Sequence, residues 1–188
     1  MSNRAAGPVL LLVSVLLLCP PNSSVALGQE QESPLTDQPA QVRFDVMAAA
    51  LRHAMEHARE RGIVERLGIE YFCVGVEEGR TQTREDPGEP LIELFRGMRP
   101  TVVPVSECEF ESSEGYRYEP REGTSAVDHR ESGSEAIYFA VTPPNMKRET
   151  AASIGVWYAV GPTHAVDFDC DVYRKVIWHA ECRGSGRA

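Results

Sequence analysis

Residues 135–142 (EAIYFAVT), 153–161 (SIGVWYAVG) and 165–174 (AVDFDCDVYR) decide the fold class of this chain. Each is an apolar run of strand length, rich in β-branched and aromatic residues. In the third run Val166, Phe168, Cys170 and Val172 alternate with Asp167, Asp169 and Asp171. That is the period-two pattern of a strand with one buried and one wet face. Short connections between such strands predict an antiparallel meander, and residues 178–182 (WHAEC) are placed to close it. Pro143, Pro144 and Asn145 supply the turn between the first two strands.

Outward from the meander, residues 41–61 form the clearest helix. Phe44, Met47, Ala48, Leu51, Met55 and Ala58 share one face at about 100° per residue, and Gly62 stands where a C-cap belongs. Val42, Val46 and Ala49 lie on the far side, so part of that side is expected to be covered too. Residues 69–76 (IEYFCVGV) read as a strand, the charged residues 77–89 as a loop, and 91–98 as a short helix or turn. Residues 101–110 (TVVPVSECEF) read as a strand that Pro104 confines to an edge or a bulge. The stretch 111–134 is wet, with short strand pieces at Tyr116–Tyr118 and Ser125–Val127. The economical architecture is α+β: a long N-terminal helix packed on a curved, mostly antiparallel sheet, an order similar to cystatin-like and NTF2-like folds.

The chain opens with Arg4 and an apolar block at residues 9–18 (VLLLVSVLLL), the pattern of a secretory signal peptide. The block falls short of the roughly 20 apolar residues of a membrane span. Ser24 and Ala26 place small residues at −3 and −1, so the signal is read as 1–26, with cleavage after Gly28 as the alternative. Lipid anchoring at Cys19 is the other reading, disfavoured because Leu18 before it is large. Residues 27–40 are a polar spacer, 41–182 the single domain and 183–188 a frayed tail.

Removal of Arg4 with the signal takes the net charge from −9 to −10. Such acidity argues against nucleic acid as a partner, and no cofactor motif is present. Only Lys147 and Lys175 are lysines among many arginines, which points to a GC-rich bacterial source. Four cysteines follow the signal: Cys73, Cys108, Cys170 and Cys182. An even number in an exported chain predicts two disulfides. Three pairings exist; Cys73–Cys108 with Cys170–Cys182 is preferred because each joins neighbouring elements. A tight turn at Arg174–Lys175 would set Cys170 opposite His179, so the second pair requires a longer loop.

Two constellations carry the chemistry that is open to this chain. His53-Ala54-Met55-Glu56-His57 matches H-x-x-E-H, which resembles the inverted zinc motif of the pitrilysin-like metallopeptidases. The resemblance implies two imidazole ligands, a carboxylate that activates water, and a third ligand from a downstream glutamate. Glu131 and Glu135 stand at suitable separations, but on a loop and at a strand start. His53 and His57 lie opposite the Phe44–Leu51–Met55 face and are expected in solvent, which favours a plain polar helix face.

Asp167, Asp169 and Asp171 form the second constellation. They follow one another about 6.5–7 Å apart on a strand face. A calcium loop starting at Asp167 would need Gly at Val172 and Glu at Trp178, so an EF-hand is excluded. A looser cation site on the three carboxylates is the alternative, and a solvated face offset by Lys147, Arg148 or Arg174 is the preferred reading. Nucleophile elbows and phosphate loops are absent.

Residues 103–108 (VPVSEC), after a Cys-Val-Gly-Val strand and an acidic loop containing Asp86-Pro87, resemble small exported bacterial proteins of unknown function. That group also ends in a strand pair with a cysteine and a tryptophan, as Cys170 and Trp178 do here; no activity is implied. The sequence thus points to a disulfide-stapled exported α+β domain that acts as a non-enzymatic binding or envelope-associated module. The alternatives are an NTF2-like binder or enzyme with a pocket between helix and sheet, for which Tyr158, Asp169 and Glu70 are nominees, and the zinc hydrolase.

Overall fold

The computed structural model describes residues 38–78, 84–110, 126–159 and 165–187. The signal segment, Cys19, most of the spacer, Tyr116–Tyr118 and His164 lie outside the described residues.

A helix and a large, mostly antiparallel sheet make up the molecule. α1 (Gln38–Glu60) and α2 (Ile63–Leu67) lead into β1 (Tyr71–Val76), α3 (Glu89–Glu93) and β2 (Thr101–Pro104). A 3₁₀ turn at Val105–Glu107 precedes β3 (Cys108–Phe110) and β4 (Val127–His129). The remaining strands are β5 (Ala136–Val141), β6 (Asn145–Arg148), β7 (Ala151–Ala159), β8 (Ala165–Arg174) and β9 (Trp178–Arg187). The large sheet has the order β2-β1-β5-β7-β8-β9, with β6 beside β7. From β5 to β9 each neighbouring pair is antiparallel, whereas β1 runs parallel to both β2 and β5. β3 and β4 form a separate antiparallel pair.

β5 explains the layering. None of its six residues is more than 1% exposed, as expected of a continuous apolar run covered on both faces. Ile137, Phe139 and Val141 face one core, which also holds Phe72, Val74, Val156, Tyr158, Phe168 and the apolar residues of α1. Ala136, Tyr138 and Ala140 face the other, with Cys73, Val103, Val105, Cys108 and Val127. α1 covers the first face, and the β3–β4 pair with the turn before it covers part of the second.

Several local expectations change. The 101–110 run breaks after Pro104, which lacks the N–H needed to continue a ladder, and its halves join different sheets. The turn at Pro143–Pro144 opens into β6, which runs beside β7. There Thr142 replaces missing ladder bonds: its Oγ1 accepts from Gly155 N–H at 3.0 Å, and its own N–H donates to the Gly155 carbonyl at 2.9 Å. β9 continues in register with β8 to Arg187, in place of a frayed tail from Arg183. The β8–β9 loop spans Lys175, Val176 and Ile177, so Arg174 pairs with Trp178, and Cys170 meets Cys182 directly instead of His179.

The two disulfides are Cys73–Cys108, with Cα atoms 6.3 Å apart, and Cys170–Cys182, with Cα atoms 4.0 Å apart. The first ties the 3₁₀ turn and β3 to β1; the second crosses between β8 and β9. No described helix is long and apolar enough to cross a membrane.

α1 ends at Gly62, whose φ of 65° is the left-handed conformation that glycine adopts without cost. Its buried surface is wider than one stripe. All of residues 46–51 are buried, together with Ala54, Met55 and Ala58. The helix is also held on its α3 side: Arg52 Nη2 donates to the Leu94 carbonyl at 2.9 Å, and its guanidinium carbon sits 5.2 Å from the Phe95 ring centroid. Leu51→Ala is expected to cost about 2–5 kcal/mol in urea unfolding. Glu56→Ala, on the exposed side, is expected to change it by less than about 0.5 kcal/mol. Similar costs for the two would contradict this orientation.

Candidate functional site

Ala50 and Ala54 are fully buried, so the buried arc of α1 reaches round to the histidines beside them. His53 and His57 are half-buried, not solvent-facing as the wheel predicts. Both rings meet Phe168 of β8 edge-on, with centroids 5.4 and 5.1 Å away. His57 Nδ1 lies 2.9 Å from the hydroxyl of Tyr158, a side chain that is fully buried. A neutral ring with its proton on Nε2 can accept a hydrogen bond from the phenol at that Nδ1.

Electrostatics agree with a neutral ring. Burial, then the charges of Arg61 and His53, hold His57 below the ordinary imidazole value of 6.5, outweighing the opposite pull of Glu60. Burial also pushes the Tyr158 phenol up, with Arg61 acting against it. Glu56, the third member of the H-x-x-E-H set, is exposed on another side of the helix. The motif therefore places two imidazoles over an aromatic ring and turns its own carboxylate away. Among the described residues no group of three His, Cys, Asp or Glu is placed to hold a metal ion.

The aspartates of β8 lie on the opposite sheet face. Asp169 and Asp171 are exposed and Asp167 is partly covered. Lys147 Nζ donates to Asp171 at 2.8 Å, and that bond, with the Lys147 charge, lowers the carboxyl below its usual range. Asp169 stands opposite Arg183 in the β8–β9 register. Thr142, Asn145, Ser153, Asp169, Asp171 and Arg183 line an open groove of about 270 Å³. Of the three residues nominated for a helix–sheet pocket, only Tyr158 faces that interface; Asp169 is on the other face and Glu70 is exposed before β1.

A polar cluster on the second face was not foreseen. Glu77, just past β1, accepts from the Tyr138 hydroxyl and from Trp157 Nε1, each at 3.1 Å. The Arg84 guanidinium carbon sits 3.7 Å from the Phe110 ring centroid and 5.2 Å from that of Tyr138. Burial, reinforced by the Glu77 carboxylate, pushes the Tyr138 phenol up well beyond its ordinary value. The sequence carries one faint signal: Glu77 directly follows an apolar strand, where an alternating side chain is still directed by the sheet. His129 stacks on Tyr71 at 3.9 Å and shares a 2.9 Å hydrogen bond with Ser132.

Comparison with protein-family models, with curated proteins and with solved structures yields no match.

Two effects should separate at the His57–Tyr158 bond. His57→Ala leaves a buried phenol unpaired and is expected to cost about 1–3 kcal/mol, whereas Tyr158→Phe costs about 0.5–1.5 kcal/mol. The double variant should cost less than their sum, since both remove one bond. Because folding lowers the His57 pKa, its contribution is complete above pH 6.5 and is lost as pH falls through the lowered folded value. Urea unfolding between about pH 7.5 and 5.5 should show that decline. His57→Gln should reduce it; an unchanged slope would remove His57 as its source.

Proposed function

We propose that the chain is an exported, disulfide-braced binding or envelope-associated module rather than an enzyme. The observation that supports this best is the pair of disulfides, each fastening a thin part of the fold: β3 and its turn to β1, and β9 to β8. Such bonds persist in non-reducing compartments. Export would follow from a signal peptide at 1–26 and a spacer at 27–40, with lipidation at Cys19 as the disfavoured variant. The acidic β8 face and its groove, left uncovered by α1, offer a polar binding surface for a partner other than nucleic acid.

The second reading is a small-ligand binder of NTF2-like or cystatin-like architecture, with its pocket between helix and sheet. The His57–Tyr158 pair favours it, since both titratable groups stand at that interface. The densely buried side chains of α1 leave the first reading ahead. A zinc hydrolase would need His53, His57 and Glu56 to converge, and Glu56 points elsewhere.

Mass spectrometry of the exported protein, alkylated without reduction, tests the leading reading. None of the four cysteines should be labelled, and reduction should lower stability by about 3–4 kcal/mol for each bond broken. Four free thiols would refute it.

A further inference from the structure

The two edges of the large sheet are built differently. β2 is four residues long and ends in Pro104, an edge that offers little to a further strand. β9 is ten residues long, contains no proline, and stays in unbroken register with β8 from Trp178 to Arg187. Among the described strands β8 is its only neighbour.

The direction of its unused backbone groups follows from two observations. Arg174 N–H donates to the Thr150 carbonyl, on the β7 side of β8. Backbone groups alternate along a strand, so those of Cys170 also face β7, and Cys170–Cys182 is a pair without ladder bonds between its members. Its 4.0 Å Cα separation is that of the close, non-hydrogen-bonded type. The N–H and C=O groups of Cys182 therefore project from the free edge, and with them those of Trp178, Ala180, Gly184 and Gly186.

We infer that β9 pairs edge to edge with β9 of a second copy of this chain, antiparallel about a two-fold axis at Cys182. In that register Cys182 faces Cys182, Ala180 faces Gly184 and Trp178 faces Gly186, and all are positions whose backbone groups point outward. The intervening positions bring Glu181 of each copy opposite Arg183 of the other. They form close pairs on the open sheet face, where opposite charges attract. Both side chains are exposed in the single chain, where the Tyr173 hydroxyl donates to one oxygen of Glu181 and leaves the other for a partner. Moving the axis by one residue, to Glu181 or Arg183, keeps the bonding phase but sets like charges face to face, so the charge pattern favours the axis at Cys182 over these neighbours. Gly184 lies bare against Phe168, whose ring a Cβ there would approach to 3.4 Å. The sheet then runs continuously through both copies. This inference does not rest on the binding role proposed above.

Sedimentation velocity of the purified protein across a concentration series up to about 100 µM tests it. A reversible dimer is expected. Gly184→Pro removes an outward N–H and leaves the β8 ladder untouched; it should weaken the dimer about tenfold or more, with the fold checked by circular dichroism. Glu181→Arg should weaken it as well, and Glu181→Arg combined with Arg183→Glu should restore it, a rescue that misfolding would not give. A monomer throughout the series overturns the inference, including the case in which a foreign strand occupies the edge. A dimer indifferent to Gly184→Pro, or a charge exchange that fails to restore association, does so too.

Discussion

Burial of β5 on both faces is the constraint on which the rest of the structure depends. A strand with Ile137, Phe139 and Val141 on one side and Ala136, Tyr138 and Ala140 on the other cannot leave either side to water. One side takes α1, with Ala50 and Ala54 fully buried. The other takes Val103, Val105, Cys108 and Val127, from short segments with little pairing of their own. The Cys73–Cys108 bond fastens those segments to β1, next to β5. The second core is thus made from parts that would hold poorly without a covalent tie.

Away from β5 the sheet needs less cover, and its chemistry changes accordingly. At β8 the helix side stays apolar through Phe168, Cys170 and Val172, while the other side turns to aspartate. The histidines of α1 stand at this border. His57 is close enough to the core to satisfy the Tyr158 hydroxyl, and its proton affinity falls as a result. On the second face Glu77 does the same for Tyr138 and Trp157. Both clusters answer one requirement, that buried polar tips of large aromatic residues find partners.

Much of this was legible in residue order. The Val166–Val172 alternation specified a half-wet strand, the 135–142 run a further strand, and Gly62 the end of a helix. The helix wheel failed at His53 and His57 because it centred on Phe44 and Leu51 and gave no weight to Ala50 and Ala54. The parallel pairing of β1 with β2 and β5 was hidden too, since strand direction depends on where the chain crosses and not on side-chain pattern. The Glu77–Tyr138–Trp157 contact joins residues 61 and 80 positions apart, a convergence that only the folded sheet supplies.

Native-state hydrogen exchange measures the central role of β5 most directly. Amides of Ile137 to Val141 should exchange only through global unfolding, with free energies equal to that from denaturant titration. β6, whose residues are largely exposed, should open well below that value. Exchange of the β5 amides at the β6 level, with another strand slowest, would contradict the double-sided core as the feature that holds this fold together.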